Sequence, residues 1–560
     1  MTMAAVAETQ EQYPQYRAPQ APNTALIEPD LATVEQWAGQ RYRFLDGGHL
    51  EFCGKSLDEA RVQARHEIVD LALVHTRQYA DPTITDAAVV DQRAIVLSGH
   101  QPELFHPGVW FKNYLLTRLV RNCGAIGINF LVDNDLCRET AIRVPSRRPD
   151  GSLQQAVVPF DAPRSAIPWE LRRVESMDVW NSFPDRVAAA LPSECSADFL
   201  TTLWPRCTAA LQRTGNIGLA LAEGRHRVEL EEGLQTLEVP LSRMVSTRAF
   251  ARFSIHLLAD LPRFQDVYNS QREQYRQAHK IRNAAHPVPP LAQQSGWLEA
   301  PWWVYRPVDP ERRPLWVRMV DDTLILSDRA GWQEQIEGRL DCDQAATQWL
   351  EFLADGICLR PRALLTTMYL RMFVGDVFIH GIGGGKYDQL TNGIMQEFFG
   401  IQPPPIVVAS ATIPLPQHAE WCPTSLAEIE SQLRAAKQQL WELQQNPEKT
   451  LMRRIESGQT RLTESQRRRL QELAAEKRQL LQNIPPRGEK SQWHQRMSTI
   501  KRELQELAAV QADAVEQEIQ RLESLAQQAA IAQSREYPFC IHPREYLVGQ
   551  LKRLAQIDSA

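Results

Sequence analysis

Along the chain, short apolar runs end abruptly at polar loops and alternate with stretches whose apolar residues recur at helical spacing. Residues 57–78, LDEARVQARHEIVDLALVHTRQ, follow helical spacing and predict a surface helix. The apolar run from Ala94 to Leu97 gives way to Gly99 and a polar loop, and residues 108–122 recover helical periodicity. A second apolar run, Ala125 to Val132, ends at Asp133, Asn134 and Asp135. The order strand, loop, helix, strand is a βαβ unit, an arrangement that binds ligands beyond the carboxyl ends of its strands.

Residues 160–285 read as mainly helical, with proline breaks near 163, 168, 192 and 205, and predict an inserted helical segment. The next stretch carries HPVPP and Trp297, Trp302, Trp303 and Trp316, and residues 316–328 predict a hairpin turning at Asp321-Asp322. Tryptophans beside prolines and a hairpin predict a small packed core in preference to a ligand platform. A second α/β stretch follows. Residues 362–372 are helical, Val374 to Ile379 form a strand, and a loop from His380 to Lys386 precedes a helix over KYDQLTNGIMQEFFG. Ile406 to Ser410 form the next strand, so both halves of a split core contribute to one sheet.

From about residue 424 the composition turns to Gln, Glu, Arg, Leu and Ala. Leu426, Ile429, Leu433, Ala436, Leu440 and Leu443 keep the spacing of a coiled-coil seam, which Leu470, Leu473, Leu480, Ile500, Leu504 and Leu507 continue. Asn446-Pro447 and Pro485-Pro486 interrupt it and predict helices that fold back antiparallel. The fold class is therefore α/β with helical insertions. The expected divisions are a disordered leader (1–30), the first half of the core (31–160), a helical insertion (161–285) and a Trp/Pro-rich segment with a hairpin (286–345). The second half of the core (346–423), a coiled coil (424–533) and a C-terminal return segment (534–560) complete the series.

At 560 residues the chain exceeds what one core accommodates. A formal charge of -6 gives no electrostatic argument for nucleic acid or an anionic membrane, and neither partner is expected. No apolar run is long enough to span a bilayer, and the N-terminus lacks the basic and apolar regions of a secretory signal, so a cytoplasmic location is expected. The nine cysteines contain no CxxC pair and are expected to be reduced and inert.

The segment from Ser98 to Gly108 carries the strongest candidate chemistry. A glycine directly after a strand lets a nucleotide approach the backbone, and the following helix N-terminus favours phosphate, which makes Gly99, Gln101 and Gly108 candidate phosphate contacts. His100 and His106 either donate hydrogen bonds to phosphate oxygens or cap and pack the loop. Asp133 and Asp135 sit where a carboxylate binds an amine, a ribose hydroxyl or Mg²⁺, or closes the loop as an Asx turn. His100, His106, Asp135 and Cys137 lack the paired spacing of a zinc site, and no zinc is expected. In the second half, amides at Gly381, Gly383 and Gly384 can cradle an anion and Lys386 adds a point charge. Tyr387 stands where a Walker A loop needs Ser or Thr. A tight turn before a helix accounts for the same glycines.

Three segments together resemble the bacillithiol-biosynthesis cysteine-adding enzyme family. SGHQPELFHPGVWFKNYLL is similar to its loop-helix and INFLVDNDLCRETAIRV to its apolar strand with an acidic end. RPRALLTTMYLRMFVGDVFIHGIGGGKYDQLTNGIMQEFFGIQPPPIVVASAT is similar to its second half. The resemblance implies a Rossmann-like parallel core related to class I synthetases and a dimerising C-terminal coiled coil. It also implies ATP and Mg²⁺, and a reaction joining the carboxyl of cysteine to the amine of glucosaminyl-malate. His100, His106, Asp133 and Asp135 would be its catalytic residues. The chain departs from the family at His100, where a second glutamine is usual, and at Gly383-Gly384-Gly385-Lys386, where the family carries a Gly-Pro-Gly-Glu-type loop. The acceptor and the amino acid therefore stay open. So do two alternatives: a non-catalytic coiled-coil assembly protein with a degenerate core, and a nucleotidyltransferase acting on another small acceptor. The seam fits a homodimer and an intramolecular hairpin equally well.

Overall fold

Ser56 opens the first long helix through a capping box: its hydroxyl accepts the Glu59 amide, while the Glu59 carboxylate accepts the Ser56 amide at 2.8 Å. The computed structural model describes residues 13–44, 50–82, 87–282, 288–338 and 341–557. In chain order, the elements that build the site are β1 (Thr24–Glu28), α1 (Leu57–Thr76), β2 (Ile95–His100), α2 (Pro107–Cys123), β3 (Ile126–Leu131) and β4 (Leu237–Pro240). They continue with β5 (Trp297–Arg306), β6 (Asp309–Val320), β7 (Thr323–Ser327), β8 (Gln333–Ile336), β9 (Cys358–Pro361), α3 (Ala363–Tyr369), β10 (Val377–His380), α4 (Ile382–Ile394) and β11 (Ile406–Thr412).

A central six-stranded sheet runs β1-β11-β10-β2-β3-β4. β1 is antiparallel to β11, and every other neighbouring pair is parallel. The five parallel strands are largely buried on both faces, as parallel strands covered by helices require. α2 packs against β2, β3 and β11, and α1 against β4. From β2 the chain winds outward through β3 to β4, then returns on the other side of β2 as β10 and winds outward to β11. The winding direction thus reverses between β2 and β10.

Asp376, just ahead of β10, locks those two strands together at their amino ends. Its buried carboxylate accepts the Ile95 amide at 2.8 Å, the Tyr42 amide at 2.9 Å, Arg61 at 3.0 Å and Arg65 at 2.8 Å. Breaking a buried ion pair of this kind costs about 3–5 kcal/mol. The register pairs Ile379 with Ser98 and so sets His380 level with Gly99 at the carboxyl edge.

A second sheet, antiparallel in the order β8-β7-β6-β5-β9, lies between the halves of the first in sequence. β6 and β7 turn at Asp321-Asp322, with Asp321 at φ 50°. The β5–β6 register shifts between Ala300 and Trp303, an irregularity that changes the alternation of faces. Trp302 is completely buried, while Trp303 lines a cavity.

Of the described residues, those up to Val144, those of Ala156–Pro414 and those from Arg535 onward form one unit, and Pro145–Gln155 with Leu415–Ser534 form another. In the second unit, α5 (Leu426–Gln445), α6 (Pro447–Glu456), α7 (Glu464–Gln482) and α8 (Ser491–Ala532) share a core including Ile429, Leu443, Leu473, Ile500, Leu504 and Leu522. Bonds from Gln505 to Gln444 and from Lys437 to Glu523 show α5 and α8 running antiparallel, and Trp493 to Leu480 shows the same for α7 and α8. No helix among the described residues is long and apolar enough to cross a membrane.

Several expectations are corrected. The leader expected over 1–30 includes β1, which pairs along its whole length with β11; residues 1–12 lie outside the described residues. The helical insertion expected over 161–285 contains β4, an edge strand of the central sheet, because a four-residue strand between helices carries too few positions to show a period of two. In place of the loop expected from His380 to Lys386, His380 ends β10, Gly381 is the N-cap and α4 starts at Ile382. The cysteines are not all reduced: Cys53 and Cys342, 289 residues apart, form a disulfide with Cα atoms 5.1 Å apart.

Candidate functional site

A cavity of about 500 Å³ opens at the carboxyl ends of β2, β3 and β10, beside the point where the winding reverses. Gly99, Gln101 and Asp135 line one part of it, Phe378 and His380 another, and Trp303, Arg312 and Arg362 a third. Gly99 belongs there sterically, since a Cβ at this position would sit 3.0 Å from the Phe130 carbonyl oxygen. Asp135 accepts Gln101 Nε2 at 2.9 Å, Arg312 Nη1 at 3.2 Å and its neighbour's amide, Leu136 N, at 2.8 Å.

The arginine wall is built around Trp303. Arg362 lies over the indole at 4.2 Å and Arg312 at 5.0 Å, both within cation–π range. Arg362 donates through Nη2 to Glu299 at 2.5 Å; its buried Nε and Nη1, like Nε of Arg312, have no hydrogen-bond partner among the described residues.

Opposite stands a buried polar cluster. His380 Nε2 lies 2.9 Å from Asp388 Oδ2, Arg371 Nη1 donates to the same oxygen at 2.8 Å, and Thr367 Oγ1 donates to Oδ1 at 2.6 Å. Arg371 comes from a π-helical turn, Leu370–Val374, that continues α3. Burial works to raise the Asp388 pKa, yet Arg371 and His380 hold it well below the ordinary carboxylate range. Burial lowers the pKa of His380 against the pull of Asp388.

The other candidates from the sequence are placed elsewhere. His106 is the N-cap of α2, its Nδ1 accepting the Gly108 amide at 3.1 Å, and burial pushes its pKa down to about 4. His100 packs edge-on against Phe105 at 5.3 Å and does not line the cavity; burial, then Lys112, push its pKa down to about 3. Asp133 is buried and accepts both Ser242 N, at 2.9 Å, and Ser242 Oγ, at 2.5 Å; burial and Glu170 raise its pKa to about 7. Gly108 is a packing requirement, because a Cβ there would lie 2.4 Å from the Ala411 carbonyl oxygen.

In α4, Gly381 is the N-cap and offers no capping side chain, and a Cβ at Gly381 or Gly383 would meet no atom within 4 Å. Gly384 makes room for His380, whose Nδ1 would be 2.9 Å from a Cβ. Lys386 lines a separate cavity of about 350 Å³ with Tyr16, Tyr275 and His279, so it does not join Gly99 and Asp135.

Sequence reasoning missed His380, Asp388, Arg371, Arg312, Arg362 and the buried Lys112, whose ammonium donates to the Gly99 carbonyl at 2.6 Å. The available signal was His380 at a strand end with an Asp eight residues on. Among the described residues no group of three or more His, Cys, Asp or Glu is placed to hold a metal ion. Compared with known proteins, the chain matches no family model and no curated protein.

Proposed function

We propose that the chain is an ATP-dependent carbon–nitrogen ligase that joins an amino acid to an amino-sugar conjugate, with a Rossmann-like core and its site in the 500 Å³ cavity. The observation that carries this is the cavity's position: parallel sheets of this kind bind ligands outside the strand carboxyl ends where the winding reverses. The residues also suit the groups such a reaction handles. The uncapped N-terminus of α4, which follows directly on His380, and the guanidinium groups of Arg312 and Arg362, both among the lining residues, suit the phosphates of ATP. Asp135, the one carboxylate among the lining residues, is offered to Mg²⁺ or to the acceptor's ammonium group. The Trp303 indole, within cation–π range of both guanidinium groups, adds an aromatic part to the wall.

In this reading the enzyme is cytoplasmic and the second unit is a coiled coil through which two copies pair; Trp441 and Val510, exposed on its long helices, support a further contact surface. Purified full-length protein given ATP, Mg²⁺, cysteine and glucosaminyl-malate, each omitted in turn, tests the proposal. ATP consumption that needs both organic substrates, with the amide found by mass spectrometry, is the expected result. Pyrophosphate release without amide would point to a nucleotidyltransferase, and no nucleotide binding to an assembly protein.

A further inference from the structure

The His380–Asp388 pair has the geometry of a proton-accepting dyad, and the His380 ring lines the cavity. Three positioning residues fix it. Asp388 is 1 % exposed, and Arg371 and Thr367 orient its carboxylate, so its Oδ2 faces His380 Nε2. A carboxylate kept ionised by a guanidinium accepts a hydrogen bond and does not donate one, which assigns the imidazole proton to Nε2 and leaves Nδ1 as the basic lone pair. Nδ1 has no hydrogen-bond partner among the described residues. Phe378 stacks on the ring at 4.3 Å and Gly384 clears the space beside Nδ1, so the imidazole is held from two sides. The charged groups acting on it are Asp388 from α4, Arg371 from the turn after α3, and Lys112 from α2.

We infer that His380 is the general base that deprotonates the attacking amine, with Asp388, Arg371 and Thr367 as its positioning residues. This rests on the ligase reading. An ammonium group passes one proton to Nδ1, and the resulting imidazolium keeps its Nε2–H on Asp388. The freed nitrogen lone pair forms the C–N bond to the ATP-activated carboxyl carbon. The C–O bond to the phosphorus-bearing group breaks, and that group leaves with the electron pair. The nitrogen's surplus proton and the imidazolium proton then pass to solvent. A neutral amine such as hydroxylamine, already unprotonated near neutral pH, does not need the first transfer.

The two kinds of acceptor separate the dyad's role from the ligase reading itself. Full-length wild type and His380→Gln, whose amide can still donate to Asp388, are given ATP, Mg²⁺, cysteine and an equimolar mixture of glucosaminyl-malate and hydroxylamine. Products are counted by mass spectrometry. The expected result is a fall of roughly 100-fold in the amide-to-hydroxamate ratio of His380→Gln at pH 7, shrinking as pH rises toward the acceptor's own pKa. Imidazole should restore amide formation to His380→Ala. An unchanged ratio at every pH would overturn the role of His380 while leaving the ligase reading in place. Absence of both products from the wild type would overturn the ligase reading and the dyad's role with it.

Discussion

One oxygen of Asp388 serves two partners: Oδ2 lies 2.9 Å from Nε2 of His380 and 2.8 Å from Nη1 of Arg371. Both partners are buried, so the carboxylate holds the cavity wall together whatever chemistry passes there. Asp388→Asn removes the charge and leaves a buried guanidinium unpaired. It should destabilise the first unit by about 3–5 kcal/mol in denaturant unfolding. The sign of the acid response follows from the lowered pKa. This contribution is fully present above about pH 4, the unfolded value, and is lost as pH falls below it toward the folded value. The difference between wild type and Asp388→Asn should therefore narrow in acid; a constant gap from pH 7 to pH 3 would contradict the assignment.

Buried histidines predict a second, earlier loss of stability in acid. His75 is 5 % exposed and His542 fully buried; burial pushes both pKa values down to about 3. Unfolded, each takes up a proton near pH 6.5, so below that pH the unfolded state holds more protons and stability falls. The loss is at most about 1.4 kcal/mol per pH unit for each group. The thermal midpoint should drop between pH 7 and pH 5.5, and His75→Leu should flatten that slope. An unchanged slope in the variant would show that His75 titrates alike in both states.

The consecutive glycines of α4 should respond differently to alanine. At Gly385 a Cβ would stand 2.3 Å from Val408 Cγ2 on β11, an overlap that calls for a shift of the helix or the strand. Gly385→Ala should destabilise by about 1–3 kcal/mol. At Gly383 the space is open, and alanine should stabilise the helix by up to about 1 kcal/mol. Equal effects in an unfolding titration would mean that α4 does not pack on β11 as described.

The sequence disclosed what depends on long, uniform runs. β2, α2 and β3 are readable because their apolar stretches are bounded by Gly99 and Asp133, and the reversal between α7 and α8 because prolines 485–486 interrupt a regular seam. β1 and β4, TALIE and LEVP, are too short to carry a period. Gly383 to Lys386 looked like a loop because glycine favours turns. Here Gly384 and Gly385 are small because His380 and Val408 press against them, a tertiary demand no local pattern encodes. The site was half legible. Gly99, Gln101 and Asp135 follow from the strand ends, but Arg312 and Arg362 arrive from the second sheet, whose register shift near Trp303 decides which tryptophan faces the cavity. His106, for which the sequence left open a phosphate contact or a capping role, caps α2.

In the proposed ligase the ATP phosphates lie at the N-terminus of α4, and Gly383→Asp probes that contact. The new side chain enters open space in the first turn, where an acidic residue stabilises a helix by about 0.3–1 kcal/mol, so the fold should be kept. The same charge repels a triphosphate at close range, by more than the roughly 1.4 kcal/mol that tenfold in affinity represents. Calorimetric titration of Mg·ATP into both full-length proteins should show binding to the wild type and at least tenfold weaker binding to Gly383→Asp, with its thermal midpoint equal or raised. Equal affinities, or no binding to the wild type, would contradict the account.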